Sequence, residues 1–234
     1  MATYSEKRQY IFFANPQTAS KAIALTLRKR LDGVRLPRQE MRRNGEIVVR
    51  QHHTTYRQLI DAGLLSEAQL DDLLKVTCIR NPYDQMVSKY LKYCERLNNE
   101  PSRYKWLERA APASDEHSFP EWFAWLGGHY REIDKINTGP MEFIRHADLV
   151  IRFEALQDGF DEFLRRIGVS ERIPVFEHNV TSARLEADDG AAMTAAPVPT
   201  RKKRYTEYYD DRTIEAVSRL YAPVIERFGY RFGE

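Results

Sequence analysis

The sequence predicts an α/β fold, with a mostly parallel central sheet flanked by helices. Two observations carry the prediction. Short apolar runs rich in aromatic and β-branched residues recur at Tyr10–Ala14, Lys75–Ile79 and Leu149–Phe153, as expected of strands buried on both faces. Each is followed by a segment with helical periodicity, and strands alternating with helices pack as a parallel sheet between helical layers. A third observation bounds the size. The chain has 234 residues, 42% of them hydrophobic, with no internal repeat and no dividing linker. That is enough for one sizeable core. A single domain over residues 1–234 is expected, with a polar insertion at about 98–118 and a mobile loop at about 185–200.

Taken in order, Tyr10–Ala14 ends at the turn Asn15-Pro16, and Ser20–Leu31 follows as a helix with Ala22, Ile23, Leu27 and Leu31 at helical spacing. Glu46–Arg50 reads as a second strand and runs into "RQHHTTY". Short helices are expected at Tyr56–Ala62 and Ser66–Leu74, the latter opened by Ser66 and Gln69 as a capping box. The strand Lys75–Ile79 stops at Arg80-Asn81-Pro82, and Tyr83–Leu97 reads as a helix. Asn98–Ser118 is polar and proline-punctuated, with Trp106 and Leu107 as its main apolar content. Ser118 and Glu121 form another capping box, opening a helix through "PEWFAWLGGHY" with Pro120 tolerated in its first turn. Trp122, Phe123 and Leu126 have the spacing of a buried face there, which leaves Trp106 as the better candidate to stack on a ligand. Leu149–Phe153 leads to a helix from Leu156 to Ile167, closed by Gly168. Leu185–Thr200 lacks periodicity. After "TRKKRY", the stretch "DDRTIEAVSRLYAPVIERFGY" reads as one amphipathic helix with Ile214, Val217, Leu220, Tyr221, Val224 and Phe228 on its apolar face.

Composition removes several function classes. A net charge of +2 does not suit a polycation that coats nucleic acid, so no nucleic-acid partner is expected. Cys78 and Cys94 are too few for a disulfide framework and point to a reducing compartment. The start "MATYSEKRQY" carries no apolar signal region, and the apolar runs are too short to span a bilayer. A soluble cytoplasmic protein with no membrane partner is expected. His52, His53, His117, His129, His146 and His178 show no ligand spacing with acids or cysteines, so no metal is expected.

Three segments carry chemistry. In "NPQTASK" a strand-to-helix turn leaves backbone N–H groups pointing outward at the positive end of a helix dipole. Thr18 and Ser20 add hydroxyls and Lys21 adds a charge, a set that suits phosphate or sulfate; an ordinary capped helix is the plain alternative. The loop lacks the glycines and the terminal Lys-Ser/Thr of an ATP-binding P-loop, which disfavours a kinase. In "CIRNPYDQMVSKY", Arg80 stands at the mouth of a buried strand, where α/β proteins bind ligands. Its planar, permanent charge matches a phosphate. Ser88 follows eight residues later, and pairing of Arg80 with Asp84 is the plain alternative. In "RQHHTTY" a histidine suits removal of a hydroxyl proton near neutral pH. His53 is the expected base and His52 the alternative, since strand alternation would send the two to opposite faces.

Together these segments resemble the sulfotransferases that use 3′-phosphoadenosine 5′-phosphosulfate (PAPS). "NPQTASKAI" is similar to their 5′-phosphosulfate loop and "IRNPYDQMVSKY" to their 3′-phosphate motif, with the histidine segment between them in the same order. "VIRFEALQDGFDEFLRRIGV" and "YYDDRTIEAVSRLYAPVIERFGYRF" are similar to later elements of the family. The likeness is greatest to carbohydrate sulfotransferases related to heparan 2-O-sulfotransferase and to their bacterial relatives. It implies a P-loop-like sulfotransferase fold, PAPS as co-substrate, 3′-phosphoadenosine 5′-phosphate (PAP) as product, and a hydroxyl-bearing small molecule or glycan as acceptor, with no metal.

By the same resemblance Pro16, Gln17, Thr18, Ala19, Ser20 and Lys21 surround the 5′-phosphosulfate. Arg80 and Ser88 hold the 3′-phosphate. Arg201 and Lys202, with Lys203 and Arg204, are the candidates for a basic segment that closes over it. The catalytic set is His53, Lys21 and Gln17. One position departs from the family, which has lysine where this chain has Gln17. Glutamine donates a hydrogen bond but brings no charge to the leaving oxygen, and one lost donor of this kind costs on the order of a hundredfold in rate. Lys21, one helical turn on, could supply the charge; the enzyme could be slow; or the chain could be a pseudoenzyme that binds PAPS or PAP without transfer.

Overall fold

The computed structural model describes residues 2–49, 51, 53–99, 118–134, 140–175 and 204–234. His52, most of the 98–118 insertion with Trp106, the whole of 185–200, and Arg201, Lys202 and Lys203 lie outside the described residues. In chain order the elements are β1 (Ala2–Ser5), β2 (Tyr10–Phe13), α1 (Ser20–Arg30), β3 (Val34–Leu36), β4 (Met41–Arg43) and β5 (Glu46–Val49). Then come α2 (Tyr56–Asp61), α3 (Glu67–Asp71), β6 (Leu74–Ile79), α4 (Pro82–Asn99), α5 (Phe119–Asp134) and α6 (Pro140–Ile144). β7 (Leu149–Arg152), a 3-10 turn (Phe153–Ala155), α7 (Leu156–Arg166), a second 3-10 turn (Tyr205–Tyr208), α8 (Asp211–Leu220) and α9 (Ala222–Phe228) complete it. The chain divides into two compact units, Met1–Arg80 with Ile136–Glu177, and Asn81–Lys135 with His178–Glu234.

The first unit holds a five-stranded sheet in the order β3-β1-β2-β6-β7. β2, β6 and β7 pair in parallel, while β1 is antiparallel to both β2 and β3. β3 therefore runs with the other three, and β1 alone opposes them. Alternation along β2 explains the layers. Tyr10 and Phe12 pack on one face with Ile23 and Leu27 of α1 and Phe160 and Phe163 of α7. Ile11 and Phe13 pack on the other with Leu59 of α2, Leu70 of α3 and Phe143 of α6. A strand covered on both sides needs apolar residues at every position, which is why "YIFF" has no polar alternation.

Local rules account for much of the rest. Thr55 and Ser66 each accept from the backbone N–H three residues on, and Gln58 and Gln69 reach back, so both short helices open with capping boxes. Lys75, nearly buried, donates to the carbonyls of Leu70 and Leu73 and lies 3.2 Å from Asp148. Glu46–Val49 does form a strand, but outside the central sheet: it pairs with β4 as a two-stranded ribbon. Ile47 and Val48 on this ribbon are exposed to 38% and 43%, and only Val49 at its end is buried. Asn44 and Gly45 both have positive φ, the geometry an Asn-Gly hairpin turn requires.

Gly159 marks a close helix–sheet approach. A Cβ there would fall 2.8 Å from Ile151 Cγ2 and 3.4 Å from Ile151 Cα, and Ile151 is 1% exposed. Alanine would ordinarily favour a helix over glycine; here overpacking reverses the sign. Gly159→Ala is expected to cost about 1–3 kcal/mol and lower the melting temperature by several degrees. Calorimetric unfolding checks this, and an unchanged or higher midpoint would contradict it.

In the second unit α4 is capped by Asn81, whose Oδ1 accepts from the Tyr83 N–H at 3.1 Å. Trp122 is 6% exposed and packs against Tyr90 and Phe119 at ring-centre distances of 5.5 and 5.8 Å, as its spacing predicts. The expected single C-terminal helix is instead two, broken at Tyr221. Pro223 has no N–H to continue the ladder and its ring crowds the carbonyl four residues back, so the chain restarts with proline in the first turn of α9.

Candidate active site

The site is built where β2 and β6 end. Asn15, buried, donates from Nδ2 to the Cys78 carbonyl at 2.9 Å, fastening the loop after β2 to the neighbouring strand. Its own carbonyl receives the hydroxyls of Thr18 at 2.8 Å and Ser20 at 2.7 Å. The two hydroxyl hydrogens thus hold the loop's shape. Gln17 and Ala19 have φ of 62° and 56°, whereas Thr18 between them stays on the negative side. Alternating handedness turns successive N–H groups toward one concavity, a nest suited to an anion. Left-handed backbone is costly for residues other than glycine, and here it occurs twice within three residues.

The N-terminus of α1 adds to this. Its cap residue is Ala19, whose side chain makes no capping bond, although alanine is among the poorest caps. The N–H groups of Ala22 and Ile23 fold back on the Ala19 carbonyl, while those of Ser20 and Lys21 precede the first intrahelical bonds. The loop's donors toward an anion are therefore backbone N–H groups and the helix dipole, with the exposed Lys21 on the same first turn.

Arg80 follows the last residue of β6. Its Nη1 donates to the Gln17 carbonyl at 3.3 Å, and its guanidinium carbon lies 4.1 Å from the centre of the Phe153 ring. The buried Cys78 two residues earlier is no nucleophile, because burial pushes its thiol far above the usual range. Arg80 closes the first unit and Ser88 lies in the second, half-buried on α4. Arg204, exposed, opens the 3-10 turn at Tyr205.

His53 is tied to the same loop. Its Nδ1 lies 2.8 Å from the carbonyl of Ala14, the residue between β2 and Asn15. A carbonyl only accepts, so Nδ1 carries the hydrogen and the lone pair of the neutral ring sits on Nε2. His53 also holds a φ of 60°. The chain is fixed again directly beyond it, by buried Thr54 and by Thr55 as the cap of α2. Tyr56 then stacks on His146 at a ring-centre distance of 4.0 Å. Its hydroxyl titrates above the ordinary value because of burial first and then Asp71 and Glu67. His53, the loop with left-handed Gln17 and Ala19, and Arg80 thus lie together at the strand ends of one unit. Asn15, Ala14 and Phe153 are the participants the motifs did not single out. Asn15 had a signal, since an Asn-Pro turn ends a strand; a backbone carbonyl such as that of Ala14 has none.

A model described as the sulfotransferase family matches residues 3–231, which runs through both units. The chain belongs to the sulfotransferase family. Nothing among curated proteins or solved structures matches it. Sulfuryl transfer is the general activity of such a domain. In this sulfotransferase no helix among the described residues is long and apolar enough to cross a membrane.

Proposed function

We propose that this sulfotransferase moves a sulfuryl group from PAPS to a hydroxyl acceptor, a sugar or glycan being the class the carbohydrate-type motifs favour. One observation carries the reading: the His53 Nδ1 contact with the Ala14 carbonyl, which ties the ring to the loop after β2 and, in the neutral ring, leaves the lone pair on Nε2. His53 Nε2 takes the acceptor proton as the acceptor oxygen bonds to sulfur. The bond from sulfur to the bridging phosphate oxygen breaks, and its electron pair departs with PAP. The N–H groups of Gln17 to Ser20 and the ammonium of Lys21 offset charge on the phosphosulfate, so the protein supplies the positive charge a metal would otherwise bring. Arg80 and Ser88 receive the 3′-phosphate, and Arg201 and Lys202 are its further candidates. We read both units as one sulfotransferase domain in a soluble cytoplasmic protein. The second reading, a PAP-binding pseudoenzyme, rests on Gln17, which stands in the nest without a charge.

Calorimetric titration with PAP and with ADP, on wild type and Arg80→Ala, tests the nucleotide assignment. PAP is expected to bind far more tightly than ADP. Loss of a charge-assisted pair should weaken PAP by about 10- to 100-fold in Arg80→Ala, with ADP little changed. Equal affinities for the two nucleotides in wild type would remove the PAPS reading.

A further inference from the structure

Register places a second residue beside Arg80. β6 and β7 pair in parallel with Ile79 opposite Arg152, so the next residues, Arg80 and Phe153, leave the sheet side by side. Phe153 opens the 3-10 turn that leads into α7, and α7 is seated on β7 through Gly159. The backbone that carries the ring is therefore fixed between β7 and a helix packed on the sheet. The guanidinium lies over this ring at 4.1 Å, while its Nη1 reaches the Gln17 carbonyl at 3.3 Å. A long arginine side chain has several free torsions, and two contacts of different kind restrict them. The ring lies against the guanidinium carbon, and the carbonyl holds one of its nitrogens.

We propose that Phe153 is a positioning residue for Arg80, holding its guanidinium for a nucleotide that carries a phosphate on the ribose 3′ position. An aromatic face suits this task. A ring attracts the cation through its quadrupole without itself neutralising it. Phe153 also belongs to "VIRFEAL", where it reads as the last residue of a strand. Its structural position, one residue past the strand, is what turns it toward Arg80 rather than into the sheet.

The inference rests on the sulfotransferase reading above, and the test separates the two. PAP and ADP are titrated into wild type, Phe153→Leu, Phe153→Tyr, Arg80→Ala and the Arg80→Ala/Phe153→Leu double variant, with Phe153→Met as a second ring-free variant should leucine unfold the chain. In Phe153→Leu, PAP affinity should fall by about tenfold while ADP affinity holds. Phe153→Tyr should retain the PAP preference, and Phe153→Leu should add nothing on the Arg80→Ala background. A wild type without PAP preference would overturn the nucleotide reading itself. A wild type with that preference, but a Phe153→Leu variant that keeps it, would overturn only the positioning role. So would equal losses for PAP and ADP, or a further loss on the Arg80→Ala background, since a ring acting through Arg80 has no effect once Arg80 is gone.

Discussion

His53→Asn is expected to lower the turnover number by about 10²- to 10⁴-fold, the usual contribution of a positioned general base, while PAP affinity is unchanged. Asparagine is the informative replacement because the backbone at this position has a φ of 60°. Asparagine enters the left-handed region more readily than most residues, so the segment keeps its path while the titrating ring is lost. Alanine would remove the base and burden the backbone together. The assay follows PAP released from PAPS over a panel of sugar acceptors, with PAP titration as the control on the nucleotide site. A His53→Asn enzyme with full turnover would move the base to another residue, His52 being the first candidate. A wild type that binds PAP and releases none from PAPS would favour the pseudoenzyme reading.

What the sequence made legible follows the range of the interactions involved. β2 and β6 were readable because strands buried on both faces are apolar at nearly every position, as in "YIFF" and "VTCI", where the buried Thr77 hydroxyl donates to the Phe13 carbonyl; β7, at the sheet edge, was readable from "LVI". β1 was not, because "ATYS" is short and carries no apolar run, and it is held by pairing with β2 and β3 on either side. The β4–β5 ribbon did announce itself in Asn44-Gly45; only the apolar content of Glu46–Val49 suggested a place in the main sheet. The break at Tyr221 was likewise written in Pro223, against an apolar periodicity that runs on across it. At the site, His53, Arg80 and the loop were legible as residue types in order. Their joining was not. His53 meets a carbonyl 39 residues away in sequence, and Arg80 meets one 63 residues away, both belonging to backbone atoms that no motif can display. The left-handed turns at Gln17 and Ala19 were hidden for a related reason: neither residue favours that conformation, and the bonds around them, to the Asn15 carbonyl and from Arg80 to the Gln17 carbonyl, come from tertiary structure.

Gln17→Lys is expected to raise the turnover number on the order of a hundredfold, the effect typical of one preorganised donor at a developing negative charge. The substitution asks nothing new of the backbone. Glutamine already holds a φ of 62° there, and lysine, also unbranched at Cβ, meets the same steric limits. The contact Arg80 makes to this residue is with its carbonyl, which the substitution keeps. The change therefore isolates a charge, and single-turnover transfer from PAPS measures it apart from product release. Lys21→Ala is the companion variant, because Lys21 stands on the first turn of α1, exposed, with the same kind of ammonium to offer. A hundredfold gain in Gln17→Lys would mean that the natural chain works without charge at the bridging oxygen and that Lys21 does not replace it. No gain, together with a loss of similar size in Lys21→Ala, would mean that the ammonium has moved one helical turn along and that Gln17 is neutral in both senses. That second outcome would contradict the expected gain, yet it would leave the anion nest and His53 in their roles. The charge at position 17 is a separate component of the site from the backbone that surrounds it.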